Sequence, residues 1–130
     1  MSSRFAGRSV IVTGSGSGIG RATAVRFAAE NASVLVADID LDAARQTVHE
    51  IEAAGGVGIA LRVDVSQPTD VSAMVDAALS AFGRLDVLHN NAYWGPINTP
   101  VVDISFEDWQ RTVDVTLGES FSAVGTPSRR

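Results

Sequence analysis

The chain has 130 residues, 45% hydrophobic and 19% charged, with a formal net charge of −5. That is enough for one domain with its own core, too apolar for a disordered segment, and too acidic to favour nucleic acid or an anionic membrane. There is no cysteine, so disulfides, thiol catalysis and thiolate metal sites are excluded, and His49 and His89 have no ligand-like spacing, so no metal site is expected.

In chain order, the opening "MSSRFAGRSV" has no hydrophobic signal core and no later apolar run is long enough to span a bilayer. A cytoplasmic protein is the expectation. "SVIVT" (Ser9 to Thr13) reads as a buried strand. Gly18 to Asn31 reads as a helix whose apolar surface is Ala22, Val25, Ala29 and the neighbouring Phe27. "SVLVAD" (Ser33 to Asp38) is a second strand. A helix is expected from about Leu41 to Ala54, because Leu41, Ala44, Val48 and Ile51 step by three and four and share a face, with Gly55 as its stop. "VGIALRVDV" (Val57 to Val65) is a third strand. Pro68 suits a first helical turn, and Val71, Met74, Val75, Ala78 and Phe82 mark a third helix closed by Gly83. "LDVLHN" (Leu85 to Asn90) is a fourth strand, and a loop with Pro96 and Pro100 leads to a fourth helix from about Phe106. The last stretch, "SAVGTPSRR", has lost helical periodicity and reads as a loose tail.

Strands alternating with helices of this length imply an α/β fold with parallel pairing and right-handed crossovers. The strands are mostly apolar on both sides, as strands covered on both faces should be. Residues 1–121 are expected to form one half-domain and residues 122–130 a divergent tail.

The stretch "VTGSGSGIGRATAV" carries the chemistry. Its glycines fit T-G-x-x-x-G-x-G, from Thr13 through Gly14, Gly18 and Gly20. Gly14 lets the chain turn tightly after the strand. Gly18 and Gly20 let backbone N–H groups and a helix N-terminus approach a pyrophosphate closely. Ser15 and Ser17 can donate hydroxyl hydrogen bonds to phosphate, and Ile19 lies between the last two glycines of the same loop. Asp38 ends the second strand, where a carboxylate can accept both ribose hydroxyls of NAD and would repel the 2′-phosphate of NADP. The following Ile39 is not basic, which favours NAD again. The alternative is a Gly-Ser turn that binds nothing. Its position after the first strand and before a helix, with an acid at the end of the second strand, favours the dinucleotide.

With this loop stand Asp64-Val65 after the third strand, "NNA" at Asn90 to Ala92, and "WQRTVDVTL" in the fourth helix. Together they make the chain resemble the N-terminal half of the short-chain dehydrogenase/reductases, over about residues 5–121. The resemblance implies a Rossmann-like doubly wound parallel sheet, ordered 3-2-1-4 and truncated after four strands, with NAD across the carboxyl ends. It implies that Asp64 binds the adenine amino group, that the backbone at Val65 faces adenine, and that Asn91 and Ala92 lie beside the adenosine ribose. The activity implied is hydride transfer between NAD(H) and a small-molecule alcohol or carbonyl. Other residues have plainer readings: Asp64 as a turn former, His49 as a solvated helix residue, His89 as a satisfied strand residue, Trp109 as a packing anchor and Arg21 as cover for the helix surface.

The chain departs from the family in three ways. Tyr93 replaces the glycine that follows "NNA", and Thr116 stands where the family's fourth helix has an asparagine of the proton relay. The family's catalytic serine and Tyr-x-x-x-Lys pair are expected to be missing: all ten basic residues are arginine, and Tyr93, the single tyrosine, is followed four residues later by Ile97. No catalytic residue is therefore assigned. Beyond Phe121 the family pattern stops. Read one frame over, the codons for "ESFSAVGTPSRR" could encode "VLLGCRHAIPA", which resembles the family's continuation and points to a shifted reading frame. An exposed fourth strand invites self-association. The expectation is a cofactor-binding half without turnover, the alternatives being a non-catalytic NAD-binding module or an unproductive truncated product.

Overall fold

A set of buried, mostly β-branched apolar residues makes the centre of the fold. Val10, Ile11 and Val12 are completely buried in β1 (Ser9–Thr13), and Val34, Leu35 and Val36 in β2 (Ser33–Asp38). The structure is a computed structural model that describes residues 4–91 and the single residue Glu107. Ala92, Tyr93, Trp109, Thr116, the fourth helix and the tail lie outside the described residues.

Four parallel strands form one sheet in the order β3-β2-β1-β4, with β3 spanning Val57–Arg62 and β4 Val87–His89. The register sets Ile11 beside Leu35 and Leu88. Because side chains alternate along a strand, Val10, Val12, Val34 and Val36 face one layer while Ile11, Leu35 and Ala37 face the other. The first layer is α1 (Gly18–Ala29) and α2 (Leu41–Ala53), which bury Ala24, Ala28, Ala44 and Ile51. The second is α3 (Pro68–Phe82), which buries Val71, Met74, Val75 and Ala78. The chain steps from β1 to β2 on one side and returns through α3 to β4 on the other. That reversal opens a crevice at the carboxyl end of β1, where α/β sheets hold ligands.

Several expectations need correcting. The buried stripe of α1 is Gly20, Ala24 and Ala28, whereas Ala22 and Ala29 are exposed and Val25 and Phe27 are only partly buried. Small residues at i, i+4 and i+8 let the helix lie close to the sheet, and they carry little hydrophobic signal. The same helix stops at Ala29, because Asn31 has φ 69° and the chain has turned left-handed. The strands are also not all covered alike. β3 is half-exposed along its length and ends at Arg62, after which the Val63 N–H turns to the Asp38 carbonyl. β4 is shorter than the expected run from Leu85 to Asn90. The expected face of α2 holds for Ala44 and Ile51, with Leu41 and Val48 partly buried, and it gains the polar Thr47, fully buried. The α3 residues Pro68 to Gly83 fall as expected, with Gly83 closing the helix at φ 78°.

Candidate functional site

The turn from β1 into α1 is held in a shape that only glycine permits at several points. Gly14 and Gly18 have φ 61° and 56°, the left-handed region where other residues are strained. A side chain on Gly20 would run into the Gly14 carbonyl. A Cβ on Gly16 would lie 2.8 Å from both Asp38 Oδ2 and the Ala43 Cβ. Gly16 falls outside the three-glycine pattern, yet its constraint ties the loop to the acid. The Gly16 N–H donates to Asp38 Oδ2 at 2.9 Å, and the Asp40 N–H to Asp38 Oδ1 at 2.9 Å. Each oxygen of the Asp38 carboxylate thus holds one backbone donor and keeps acceptor capacity for another.

The two serines part company. Ser17 is exposed, is the N-cap of α1 with extended backbone, and makes no side-chain cap bond. The first turn of α1 contains no acidic residue, so no carboxylate of its own offsets the orphan amides and the positive end of its dipole. Ser15 is buried, and the reading of its hydroxyl as a phosphate donor is corrected. The hydroxyl donates to the Val12 carbonyl at 2.6 Å, while its N–H donates to the Ala37 carbonyl at 3.1 Å. Ser15 turns inward to pair backbone acceptors where β1 and β2 stop. Ile19 and Ile39 are apolar and exposed, 78% and 49%, beside the loop and beside Asp38.

The end of β4 closes the site. The Asn91 N–H donates to Thr13 Oγ1 at 2.9 Å, and Asn91 Nδ2 donates to the Gly14 carbonyl at 3.3 Å. The Thr13 hydroxyl reaches the His89 carbonyl at 3.4 Å, the acceptor that strand residue offers. Asp64 acts as a turn former: its Oδ1 accepts from the Ser66 N–H at 3.0 Å and the Ser66 hydroxyl at 2.6 Å. Its own N–H donates to Asp70 Oδ2 at 3.0 Å, which fixes the turn into α3. The Val65 side chain is buried in the α3 layer. Ala92 lies outside the described residues. His49 is exposed on α2.

Arg21 does more than cover the helix. Its Nε donates to Thr47 Oγ1 at 3.0 Å and its Nη2 to the Gly16 carbonyl. Arg21, Thr47 and Gly16 are the site residues that sequence reasoning missed. A signal existed for one of them: Thr47 is a polar residue in the buried stripe between Ala44 and Ile51.

Among the described residues the one cluster with a strongly displaced pKa lies at the other end of the sheet. The Arg84 guanidinium, the Ser9 N–H and Arg8 hold the Asp86 carboxyl down at about 2. Its oxygens lie 2.8 and 2.6 Å from Arg84 Nε and Nη2, and 2.9 Å from Ser9 N. This ties β4 to the start of β1, away from the crevice. Among the described residues no helix is long and apolar enough to cross a membrane.

Comparison with known proteins agrees with this geometry. The family model for short chain dehydrogenases matches residues 8–127. The match runs past residue 121, where the resemblance was expected to end. The chain is 41% identical over 122 residues to a cyclohexanol dehydrogenase of Acinetobacter sp. (strain SE19), covering 93% of this chain and 48% of that relative. A short chain dehydrogenase/reductase from Burkholderia phymatum, solved in complex with NAD, matches with a TM-score of 0.89 and 37% identity over 94% of this chain and 43% of that one. A metagenomic short-chain oxidoreductase, solved in complex with NADP, matches with a TM-score of 0.87 and 30% identity over 94% of this chain and 55% of that one. The chain spans about half the length of the curated relatives it matches. With its sheet order, glycine loop and family match in agreement, the chain belongs to the short-chain dehydrogenase/reductase family.

Proposed function

We propose that these residues are the cofactor-holding part of an NAD-dependent oxidoreductase acting on a small-molecule alcohol or carbonyl. The observation that carries the reading is the bond from the Gly16 N–H to Asp38. It sets a carboxylate beside a glycine turn and a helix N-terminus that carries no acidic residue, at the carboxyl end of β1. Bound NAD would supply the hydride acceptor, and NADH the donor. The chain's own groups would hold it. Gly14, Ser17, Gly18, Ile19 and Gly20 line the pyrophosphate with backbone amides and the Ser17 hydroxyl, and Ser15 braces that turn from inside. Asp38 accepts the ribose hydroxyls beside Ile39. Asp64 takes the adenine amino group with its second oxygen, next to the Val65 backbone, and Asn91 and Ala92 stand beside the ribose.

The relatives' solved complexes include both NAD and NADP, so the preference rests on Asp38. Its carboxylate is held in place by two amides, and a 2′-phosphate would meet it as a like charge. NADPH should bind at least about tenfold more weakly than NADH, and Asp38→Asn should narrow that gap.

A second reading concerns turnover. The chain has no lysine, and its single tyrosine is Tyr93. Without a lysine to lower a tyrosine's pKa, these residues hold cofactor without moving a proton for the alcohol. Residues 1–121 act as the cofactor-binding unit, in the cytoplasm, and the family match carries on into the stretch after them. NADH titration followed by nicotinamide fluorescence tests both readings. Binding without oxidation of a panel of secondary alcohols is the expected result. Absence of binding by a cooperatively folded chain would remove the first reading, and alcohol oxidation the second.

A further inference from the structure

In a planar trans peptide the N–H points opposite to the C=O, so whatever holds a carbonyl also aims the next amide. Three consecutive carbonyls of the glycine loop are each held by a side chain from a different element. Asn91, just past β4, donates Nδ2–H to the Gly14 carbonyl at 3.3 Å. Thr47, on α2, donates its hydroxyl to the Ser15 carbonyl at 2.8 Å. Arg21, on α1, donates from Nη2 to the Gly16 carbonyl. The amides follow. The Ser15 N–H goes to the Ala37 carbonyl and the Gly16 N–H to Asp38 Oδ2. With the Gly16 carbonyl drawn toward Arg21, the Ser17 N–H is aimed the opposite way, at the start of α1.

Two of the three holding groups act as a unit. Arg21 Nε donates to the Thr47 hydroxyl at 3.0 Å, and that hydroxyl in turn donates to the Ser15 carbonyl. Thr47 is completely buried, so an unpaired hydroxyl would be costly there. The guanidinium also lies 3.5 Å from the Ala43 carbonyl and from Gln46 Oε1, which anchors it to α2.

We infer that Arg21 and Thr47 are positioning residues for the pyrophosphate, an inference that rests on the dinucleotide reading of the loop. They touch no ligand. They turn the negative ends of two carbonyl dipoles away from an anion and leave the Ser17 amide and the first turn of α1 facing it. Such preorganised dipoles cost no rearrangement when the charge arrives. A brace that merely joined α1 to α2 would affect stability without regard to which part of a ligand is being held.

Two measurements on the full chain test this. In ligand-free protein, hydrogen exchange of the Gly16 amide followed by NMR should speed up at least about tenfold in Arg21→Ala and Thr47→Val, while the α3 amides keep their rates. Unchanged exchange at Gly16 overturns the clamp, whether or not the chain binds NADH. For ligands, both variants should bind ADP-ribose about tenfold more weakly and adenosine, which has no pyrophosphate, within about twofold of wild type. Thr47→Ser keeps the hydroxyl and should restore ADP-ribose affinity. Equal losses for both ligands, or no loss for ADP-ribose, overturn the positioning role. Failure of the unmodified chain to bind ADP-ribose would instead remove the dinucleotide reading.

Discussion

Two glycines of the loop look alike in the sequence and differ in what excludes a side chain. Gly18 is required by its φ of 56°, and nothing stands within 4 Å of where a Cβ would be. Gly20 has helical backbone, but a Cβ there would meet the Gly14 carbonyl and lie 2.6 Å from Asn91 Nδ2. The first penalty is conformational, about 1–2 kcal/mol. The second is steric against backbone that is itself pinned, and it falls in the range of about 1–3 kcal/mol for overpacking. Gly20→Ala should therefore lower stability in urea at least as much as Gly18→Ala, and it should also loosen the Asn91 contact, seen as a shift of the Asn91 amide resonance. A Gly20→Ala chain with unaltered stability and an unmoved Asn91 signal would contradict the packing argument. The glycine pattern was legible because glycine is the residue for such turns. Gly16 and Ser15 were not, because their roles depend on Asp38 and on the ends of β1 and β2, partners that no local pattern names.

Among the elements, β1, β2 and α3 were readable to the residue, since β-branched runs and a three-four apolar spacing are strong local signals. The buried face of α1 was not. Its Gly20, Ala24 and Ala28 stripe is defined by how closely the helix approaches the sheet, and larger side chains at its edge outweigh it in any apolar count. β4 has three residues and is held at its start by the Asp86 cluster. The Asp86 pKa, brought from 3.8 to about 2, makes this tie dependent on pH. The folded carboxyl ionises more readily than the unfolded one, so its stabilisation is present above the unfolded value and lost as pH falls through about 2. Asp86→Asn should be less stable than wild type in urea at pH 7, and the gap should close between about pH 4 and pH 2. A gap that persists at pH 2 would mean the charge is not what ties the strands.

For the whole molecule, α1 and α2 cover one face of the sheet and α3 the other, while β4 pairs with β1 alone among the described strands. Among the described residues the other side of β4, which carries Leu88, has no strand partner, and such an edge is a template for another strand. Sedimentation of the purified chain should show species larger than a monomer whose share grows with concentration. A monomer at every concentration would show that this edge does not drive association.

The sequence by itself determined the element order, the parallel sheet, the glycine loop after β1 and, through its motifs, the family. Periodicity is local, and the handedness of β-α-β crossovers leaves few ways to join the pieces. Tertiary structure alone decided how the loop is braced. Arg21 to Thr47, Thr47 to Ser15 and Gly16 to Asp38 join residues 26, 32 and 22 positions apart. Such bonds exist only once α1 and α2 lie side by side on the sheet, because their donors and acceptors meet through packing and not through spacing along the chain.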